Sequence, residues 1–219
     1  MKEYLDKDYA SFLEGKTVAL VGPASYLTKL EIGDLIDSHD IVVRVNRGLE
    51  LIKDFKKSLG SRTDILYNCG IKSPNNGGNL DCDFYKQNKV KWISTIPHSD
   101  YNGKCTDNSL NPMVDRAFIQ ESKKSFLFHL MDWHLYSKLN KKVKCRSNTG
   151  FAAIFDLLNH NPKSLLICGY SFYLDSFAKG YKKGCKWSED KFSKECFVSK
   201  RHVQPNQWKV LKDFYKENE

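Results

Sequence analysis

Three short apolar runs constrain this chain more than any other feature. Thr17 to Val21 (TVALV), Ile41 to Val45 (IVVRV) and Ser164 to Cys168 (SLLIC) are rich in β-branched and aliphatic residues. Each stops at a turn: Gly22-Pro23, Asn46-Arg47-Gly48 and Gly169. Apolar runs of this length, with no polar alternation, predict strands buried on both faces. Asp64 to Tyr67 and Lys91 to Ile96, the latter ended by Pro97, read as two more strands. Between them lie helical segments at 3–14, 27–36 and 151–158 and an amphipathic terminal helix at 207–216. Residues 116–139 mix helix with a short strand at 125–128. Strands alternating with helices predict an α/β fold, a mostly parallel sheet with helices on both faces. No repeat and no linker interrupts the pattern, so residues 1–219 read as a single domain.

Composition narrows the function. Apolar residues make up 41% of the 219 and charged residues 28%, which argues for a packed core and against disorder. Lys and Arg number 35 against 26 Asp and Glu, a net charge of +9 that favours anionic partners. The excess is spread along the chain. Its densest stretch, Lys138 to Arg146 (KLNKKVKCR), reads as a solvated loop, and with no nucleic-acid motif beside it a nucleic-acid partner is not indicated. No apolar run approaches the ~18 residues of a membrane span. Residues 1–16 do not resemble a signal peptide, so a cytoplasmic location is expected. The seven cysteines include no C-x-x-C pair and read as reduced, mostly buried thiols.

Ligands in such sheets bind beyond the C-terminal strand ends, where the strand order reverses. The turn after the first strand has one glycine and no G-x-G-x-x-G, which disfavours a nicotinamide-dinucleotide site, and there is no phosphate-binding G-x-x-x-x-G-K-[ST] loop. Ser147-Asn148-Thr149-Gly150 directly precedes the apolar helix at 151–158. Free N–H groups at a helix start, a hydroxyl and a glycine that permits close approach make an anion site, although the same residues also serve as an ordinary N-cap. His98 follows a strand end and His202 precedes the terminal helix. His39 suits a turn, and His129, His134 and His160 show no distinguishing pattern. Asp81-Cys82-Asp83 matches the D-x-D pattern that holds a divalent ion in nucleotide-diphosphate-sugar transferases, on two residues only.

Taken together these segments resemble the eukaryotic-type sialyltransferase family and its bacterial and viral relatives, which share four sialylmotifs. The long motif reads VALVGPASYL at 18–27, IDSHDIVVRVNRG at 36–48 and GSRTDILYN at 60–68. The short motif reads Ser147 to Phe155 (SNTGFAAIF), followed by LLICGYSFY at 165–173. His202 with Gln207 fits the fourth motif. The order matches across about residues 17–215. Three departures stand out. The family's disulfide positions fall near Val18 and His160; the first-turn asparagine is replaced near Pro23; and the third motif is unrecognisable, leaving Tyr173, Tyr181 or Arg201 to take its place.

The resemblance implies a Rossmann-like, sialyltransferase-type variant of the GT-A fold. It implies inverting, metal-independent transfer of a sugar acid, sialic acid or Kdo, from a CMP-activated donor to a glycan or glycolipid hydroxyl, with no cofactor. His202 would be the general base. Asn148, Thr149 and Gly150 would hold the donor phosphate or carboxylate, and Asn46 and Asn68 the nucleotide. Gly22 and Ser25 would admit the nucleotide to the first turn, and Tyr173 would shape the pocket. Asp40 and Arg44 would hold the fold. The basic charge is compatible with a peripheral membrane contact. Two other readings are a catalytically inactive nucleotide- or glycan-binding module and a metal-dependent nucleotide-diphosphate-sugar transferase acting through Asp81 and Asp83.

Overall fold

The computed structural model describes residues 5–74, 76–97, 114–172, 174–181 and 203–217. The elements run α1 (Lys7–Leu13), β1 (Thr17–Val21), α2 (Gly33–Asp37), β2 (Ile41–Val45), α3 (Ile52–Leu59), β3 (Ile65–Tyr67), α4 (Cys82–Gln87) and β4 (Trp92–Thr95). They continue with α5 (Arg116–Ser125), β5 (Leu127–Leu130), α6 (Trp133–Val143), α7 (Thr149–Asn159), β6 (Ser164–Cys168) and α8 (Gln204–Glu217).

The six strands form one parallel sheet in the order β5-β4-β3-β2-β1-β6. From β1 the chain steps outward to β5, one strand at a time. It then returns across the sheet, so that β6 pairs with the other side of β1, Val18 opposite Leu165. The strand order therefore reverses between β1 and β6. Right-handed crossovers running in opposite directions place their helices on opposite faces, and the core divides accordingly. Leu20, Val43, Ile65 and Tyr67 pack against Tyr9, Tyr136, Phe151 and Leu211, from α1, α6, α7 and α8. The alternate residues Ala19, Val21 and Val42 meet Leu27, Ile36 and Leu59, while Leu66 and Ile93 meet Tyr85 and Phe118.

β1, β2 and β6 coincide with the three apolar runs, and an α/β Rossmann-like fold is what forms; β6, expected to be buried on both faces, is instead the edge strand of the sheet and is half-buried along most of its length. Local differences have physical causes. The helix expected over 27–36 divides into a 3₁₀ turn at Ser25–Lys29 and the short α2. Gly33 lies so close to α3 that an added Cβ would sit 2.5 Å from the Lys56 carbonyl oxygen. α3, with a kink at Phe55, and α4 had no clear sequence signal. α4 starts inside the turn-rich stretch 72–83, where the Asp81 carboxylate accepts from Phe84 N at 3.0 Å as an N-cap. The basic stretch 138–146 is not a loop. α6 runs through Val143 and ends at Lys144 in the left-handed region (φ 55°). Tyr136, Leu139 and Val143 bury one stripe at helical spacing, and the lysines between them lie on the opposite, exposed side.

Two residues of the long motif hold this frame. Arg44 is buried, and its guanidinium donates to the Leu59 carbonyl at 2.5 Å, the Arg62 carbonyl and Thr63 Oγ1. Burial lowers its pKa to about 10, opposed by nearby Asp37, so it stays charged. Asp40 accepts from Thr17 N at 2.8 Å and Thr17 Oγ1 at 2.9 Å, tying the start of β2 to the start of β1. Cys69, Cys82, Cys145 and Cys168 are free thiols, two of them buried. No helix among the described residues is long and apolar enough to cross a membrane.

Candidate active site

A cavity of about 200 Å³ opens where the strand order reverses. Its walls come from the turns that follow β1, β2 and β6 and from the first turn of α7. Pro23, Asn46, Asn148, Thr149, Gly150 and Phe172 are among its lining residues. Sequence alone accounts for this placement, because β1 ends at Gly22-Pro23 and α7 starts at the small, polar Ser147-Asn148-Thr149-Gly150.

The α7 N-terminus is built for an anion. The Asn148 side chain accepts from Phe151 N at 2.9 Å and fixes the helix start. The remaining first-turn N–H groups carry the partial positive charge of a helix N-terminus. Gly150 is required there: an added Cβ would lie 2.5 Å from Cε1 and 3.1 Å from the hydroxyl of Tyr170. The Tyr170 ring also fills the space over Gly22, where an added Cβ would lie 2.8 Å from Cε2. Burial holds the Tyr170 pKa well above 10, so its hydroxyl is a neutral donor. The Tyr170 hydroxyl and Ser147 Oγ are buried and have no hydrogen-bond partner among the described residues. Both line the cavity. Unpaired buried hydroxyls are costly, and a ligand entering here can pair them. Arg146 adds a cation to the same wall.

The sequence-derived site residues divide into three groups. Asn46, Asn148, Thr149 and Gly150 line the cavity together. Asn46 adopts φ 47°, which asparagine tolerates well, and its side-chain Oδ1 accepts from Cys69 N at 2.9 Å. Gly22, Ser25 and Asn68 lie behind the lining. Gly22 is in contact with Gly169. Ser25 Oγ donates to Asp175 at 2.8 Å and accepts from Ser176 Oγ at 2.8 Å. Asn68 is fully buried, donates to the Gly77 carbonyl at 3.0 Å and accepts from Gly70 N at 2.9 Å, which shapes the loop beneath the cavity. Tyr173 and His202 lie outside the described residues, as do His98, Arg201 and the segment 102–112.

Tyr170, which sequence places at a strand end with Gly169, lines the cavity, as do Arg146 and Gln204, which carried no sequence signal of their own. Arg146 was within reach of sequence reasoning, since a cation directly before a small-residue helix start is an anion-site pattern. Asp81 and Asp83 do not line this cavity. Asp81 caps α4, and Asp83 is an exposed partner of Lys86 at 3.5 Å.

The histidines also differ from their sequence reading. His129 looked unremarkable, yet it is buried at the centre of an ionic network. Its Nδ1 is 2.9 Å from Asp6 and its Nε2 is 2.9 Å from Asp156. Asp156 also accepts from the Tyr67 hydroxyl at 2.7 Å, and the Tyr9 hydroxyl donates to Tyr67 at 3.0 Å. Desolvation alone would lower the His129 pKa, but the charges and hydrogen bonds of Asp156 and Asp6 outweigh it and push it up to about 9. His129 is therefore an imidazolium clamped between two carboxylates. His129, Asp156 and His160 form the one group of metal-ligating type among the described residues. Both His129 nitrogens are already engaged, and none of the three lines the cavity.

A parallel sheet with a helix start open to a cavity at its strand-order reversal, and no dinucleotide or nucleoside-triphosphate fingerprint, defines an α/β protein with a site suited to an anionic ligand. Comparison with known families identifies which. Residues 6–155 match the model of glycosyltransferase family 29 (sialyltransferase), more than half of the chain, and the protein belongs to that family. The match ends inside α7, before β6, Tyr173 and His202.

Solved structures share the fold. A mammalian sialyltransferase in complex with Gal-beta-1-3GalNAc-ortho-nitrophenol aligns with a TM-score of 0.55 at 14% identity, over 94% of this chain and 68% of that one. The sialyltransferase CstII from Campylobacter jejuni, in complex with the substrate analogue CMP-3FNeuAc, aligns with a TM-score of 0.53 at 16% identity, over 92% of this chain and 79% of that one. Cst-I, a monofunctional alpha-2,3-sialyltransferase from the same organism, aligns with a TM-score of 0.50 at 15% identity, over 97% and 75%. No curated protein matches the chain by sequence.

Proposed function

We propose that the protein transfers a sugar acid, sialic acid or Kdo, from a CMP-activated donor to a glycan hydroxyl with inversion, without a metal or other cofactor, in the cytoplasm. The α7 N-terminus opening into the cavity beside Asn46 carries the reading. A CMP donor has one phosphate and a sugar carboxylate. Fixed N–H donors, the Thr149 hydroxyl and the Arg146 cation suit that charge without a divalent ion. Gly150 allows close approach, Asn46 faces the nucleotide, and Gly22, Ser25 and Asn68 support the walls from behind. Tyr173, which follows the lining residue Phe172 in sequence, is assigned to the donor on the resemblance alone. The solved CstII complex with CMP-3FNeuAc supports the donor class, and the mammalian complex with Gal-beta-1-3GalNAc-ortho-nitrophenol supports a glycan acceptor.

His202 is the general base that takes the acceptor proton as the hydroxyl attacks the anomeric carbon. An imidazole with a pKa of ~6.5 suits that task. Gln204, two residues beyond it, lines the cavity, which supports this assignment. The N-capping role of Asp81, away from the cavity, weighs against the metal-dependent alternative.

The test is release of CMP from CMP-sialic acid and, separately, from CMP-Kdo, with EDTA present, by the wild type and His202→Ala. A panel of glycan acceptors accompanies each. Acceptor-stimulated release that persists in EDTA and collapses in the variant is the expected result and assigns the donor. Strict dependence on a divalent ion, or donor binding with no turnover, overturns it in favour of the metal-dependent transferase or the binding module.

A further inference from the structure

We propose that the outer surface formed by α6 and α8 docks the protein on an anionic lipid bilayer, next to the mouth of the cavity. The two helices are neighbours in one layer: Asn206 Nδ2 donates to the Val143 carbonyl at 2.8 Å, and the Cys145 thiol points at the Val203 carbonyl. Each turns its apolar stripe to the sheet. α6 buries Tyr136, Leu139 and Val143, and α8 buries Gln207, Val210 and Leu211. Their other sides are basic. Lys138, Lys141 and Lys142 of α6 and Lys209, Lys212 and Lys216 of α8 are exposed, and none makes an ion pair with a described residue. Asp213 and Glu217 are the only acids within the two helices. Part of a charge excess that is dispersed along the sequence thus falls on two neighbouring helices.

Charge alone would suit any polyanion; the aromatic residues select the partner. Trp208 is 49% exposed, Tyr215 47% and Trp133 45%. In α8, Trp208, Lys212 and Tyr215 recur at i, i+4 and i+7, with Lys209 and Lys216 alongside. Indole and phenol rings flanked by lysines are the pattern of a helix lying in a membrane interface, where the rings sit at headgroup depth and the ammonium groups meet lipid phosphates. Among the described residues, no stacked row of aromatics in a groove, as single-stranded nucleic acid requires, occurs on this surface. The surface borders the cavity: Gln204 at the start of α8 and Arg146 just beyond α6 line it, and Trp208 packs against the lining residue Phe172 with ring centroids 5.2 Å apart. Docking through α6 and α8 would therefore bring the cavity to acceptors anchored in the bilayer. This last consequence rests on the transferase reading; the docking itself does not.

The experiment is co-sedimentation of the full chain with vesicles of phosphatidylcholine alone or mixed with phosphatidylglycerol, at low and high salt, without any sugar substrate. Expected is partition onto the anionic vesicles only, lost at high salt. The triple variant Lys209→Glu/Lys212→Glu/Lys216→Glu, and likewise Lys138→Glu/Lys141→Glu/Lys142→Glu, should reduce the partition coefficient by about tenfold or more, given the usual contribution of each lysine at an anionic surface. Trp208→Ala should weaken it by a smaller factor at unchanged charge. A control triple, Lys53→Glu/Lys56→Glu/Lys57→Glu on α3, beyond the opposite face of the sheet, should leave it nearly unchanged. Circular dichroism checks that each variant is folded. Equal loss in the control triple, no preference for anionic vesicles, or displacement from vesicles by trace single-stranded RNA would overturn the assignment. Because the readout is partition and not turnover, a failed transferase assay leaves this result interpretable.

Discussion

The two ends of α7 hold polar groups of opposite character. At its start, Thr149, Gly150 and the neighbouring hydroxyls of Ser147 and Tyr170 border an open cavity, and both of those hydroxyls lack a hydrogen-bond partner among the described residues. Two turns further on, Asp156 is fully buried among Tyr67, His129 and His160, with its Oδ2 accepting from two of them. Most polar atoms at this end pair with one another and hold the fold, while Asp156 Oδ1 and His160 Nε2 have no hydrogen-bond partner among the described residues. Groups that face a cavity incompletely satisfied are available for chemistry. One helix thus anchors the sheet at one end and presents a ligand site at the other, and the buried network keeps the site rigid.

The sharpest way to break this contrast is at the closed end. Asp156→Ala should leave the His129 charge buried without its main partner and destabilise the protein by about 3–5 kcal/mol, read by urea unfolding. A loss below about 1 kcal/mol would mean that the network is not ionic. Next in size is pH. The His129 pKa is raised in the fold from 6.5 to about 9. The folded protein therefore holds the proton more tightly than the unfolded chain. The resulting stabilisation is complete below pH 6.5 and disappears as pH rises through 9, a decline on the order of 3 kcal/mol. His129→Gln should flatten that part of the pH-stability profile.

At the open end the effects fall on binding. Gly150→Ala drives a methyl group into Tyr170 and should weaken CMP binding by about tenfold, measured by calorimetry, with a smaller change in unfolding free energy. Asn148→Ala removes the cap and should cost about 1 kcal/mol of stability along with some affinity for CMP. The smallest effect is expected from Asp81→Asn with Asp83→Asn, which keeps the α4 cap and should leave transfer unchanged in the presence of EDTA. Loss of activity in that variant would restore the D-x-D reading.

Much of the frame was legible because strands buried on both faces leave a strong local trace. TVALV and IVVRV became the buried β1 and β2 at their expected limits, and SLLIC became β6 at its expected limits but as a half-buried edge strand. α3 and α4 were less legible because their core contacts are few and their ends depend on distant partners, such as the Gly33 contact with Lys56. In the site, Asn46 and the Asn148–Gly150 segment were readable from their places at a strand end and a helix start. Asn68 and Ser25 occupy equally suggestive positions, but Asn68 is engaged by its own loop through Gly70 and Gly77, and Ser25 by Asp175 and Ser176 across most of the chain, contacts that strand-end position does not reveal. The His129 network was invisible for a similar reason: Asp6, Tyr67, His129 and Asp156 are brought together only by the sheet.

Gly169 lines the cavity and Gly22 backs it, where the turns after β1 and β6 meet backbone to backbone. A Cβ added to Gly22 would lie 2.8 Å from the Gly169 carbonyl carbon, and one added to Gly169 would lie 2.7 Å from the Gly22 carbonyl carbon. In most packed pairs, enlargement of one side chain can be offset by shrinkage of the other. Here neither residue has anything left to shrink, and each opposes backbone. No compensating second substitution exists within the pair, so the two positions should drift together as glycine or not at all. Diversification of this site among descendants of the chain would then have to run through its rim and leave the glycine pair untouched.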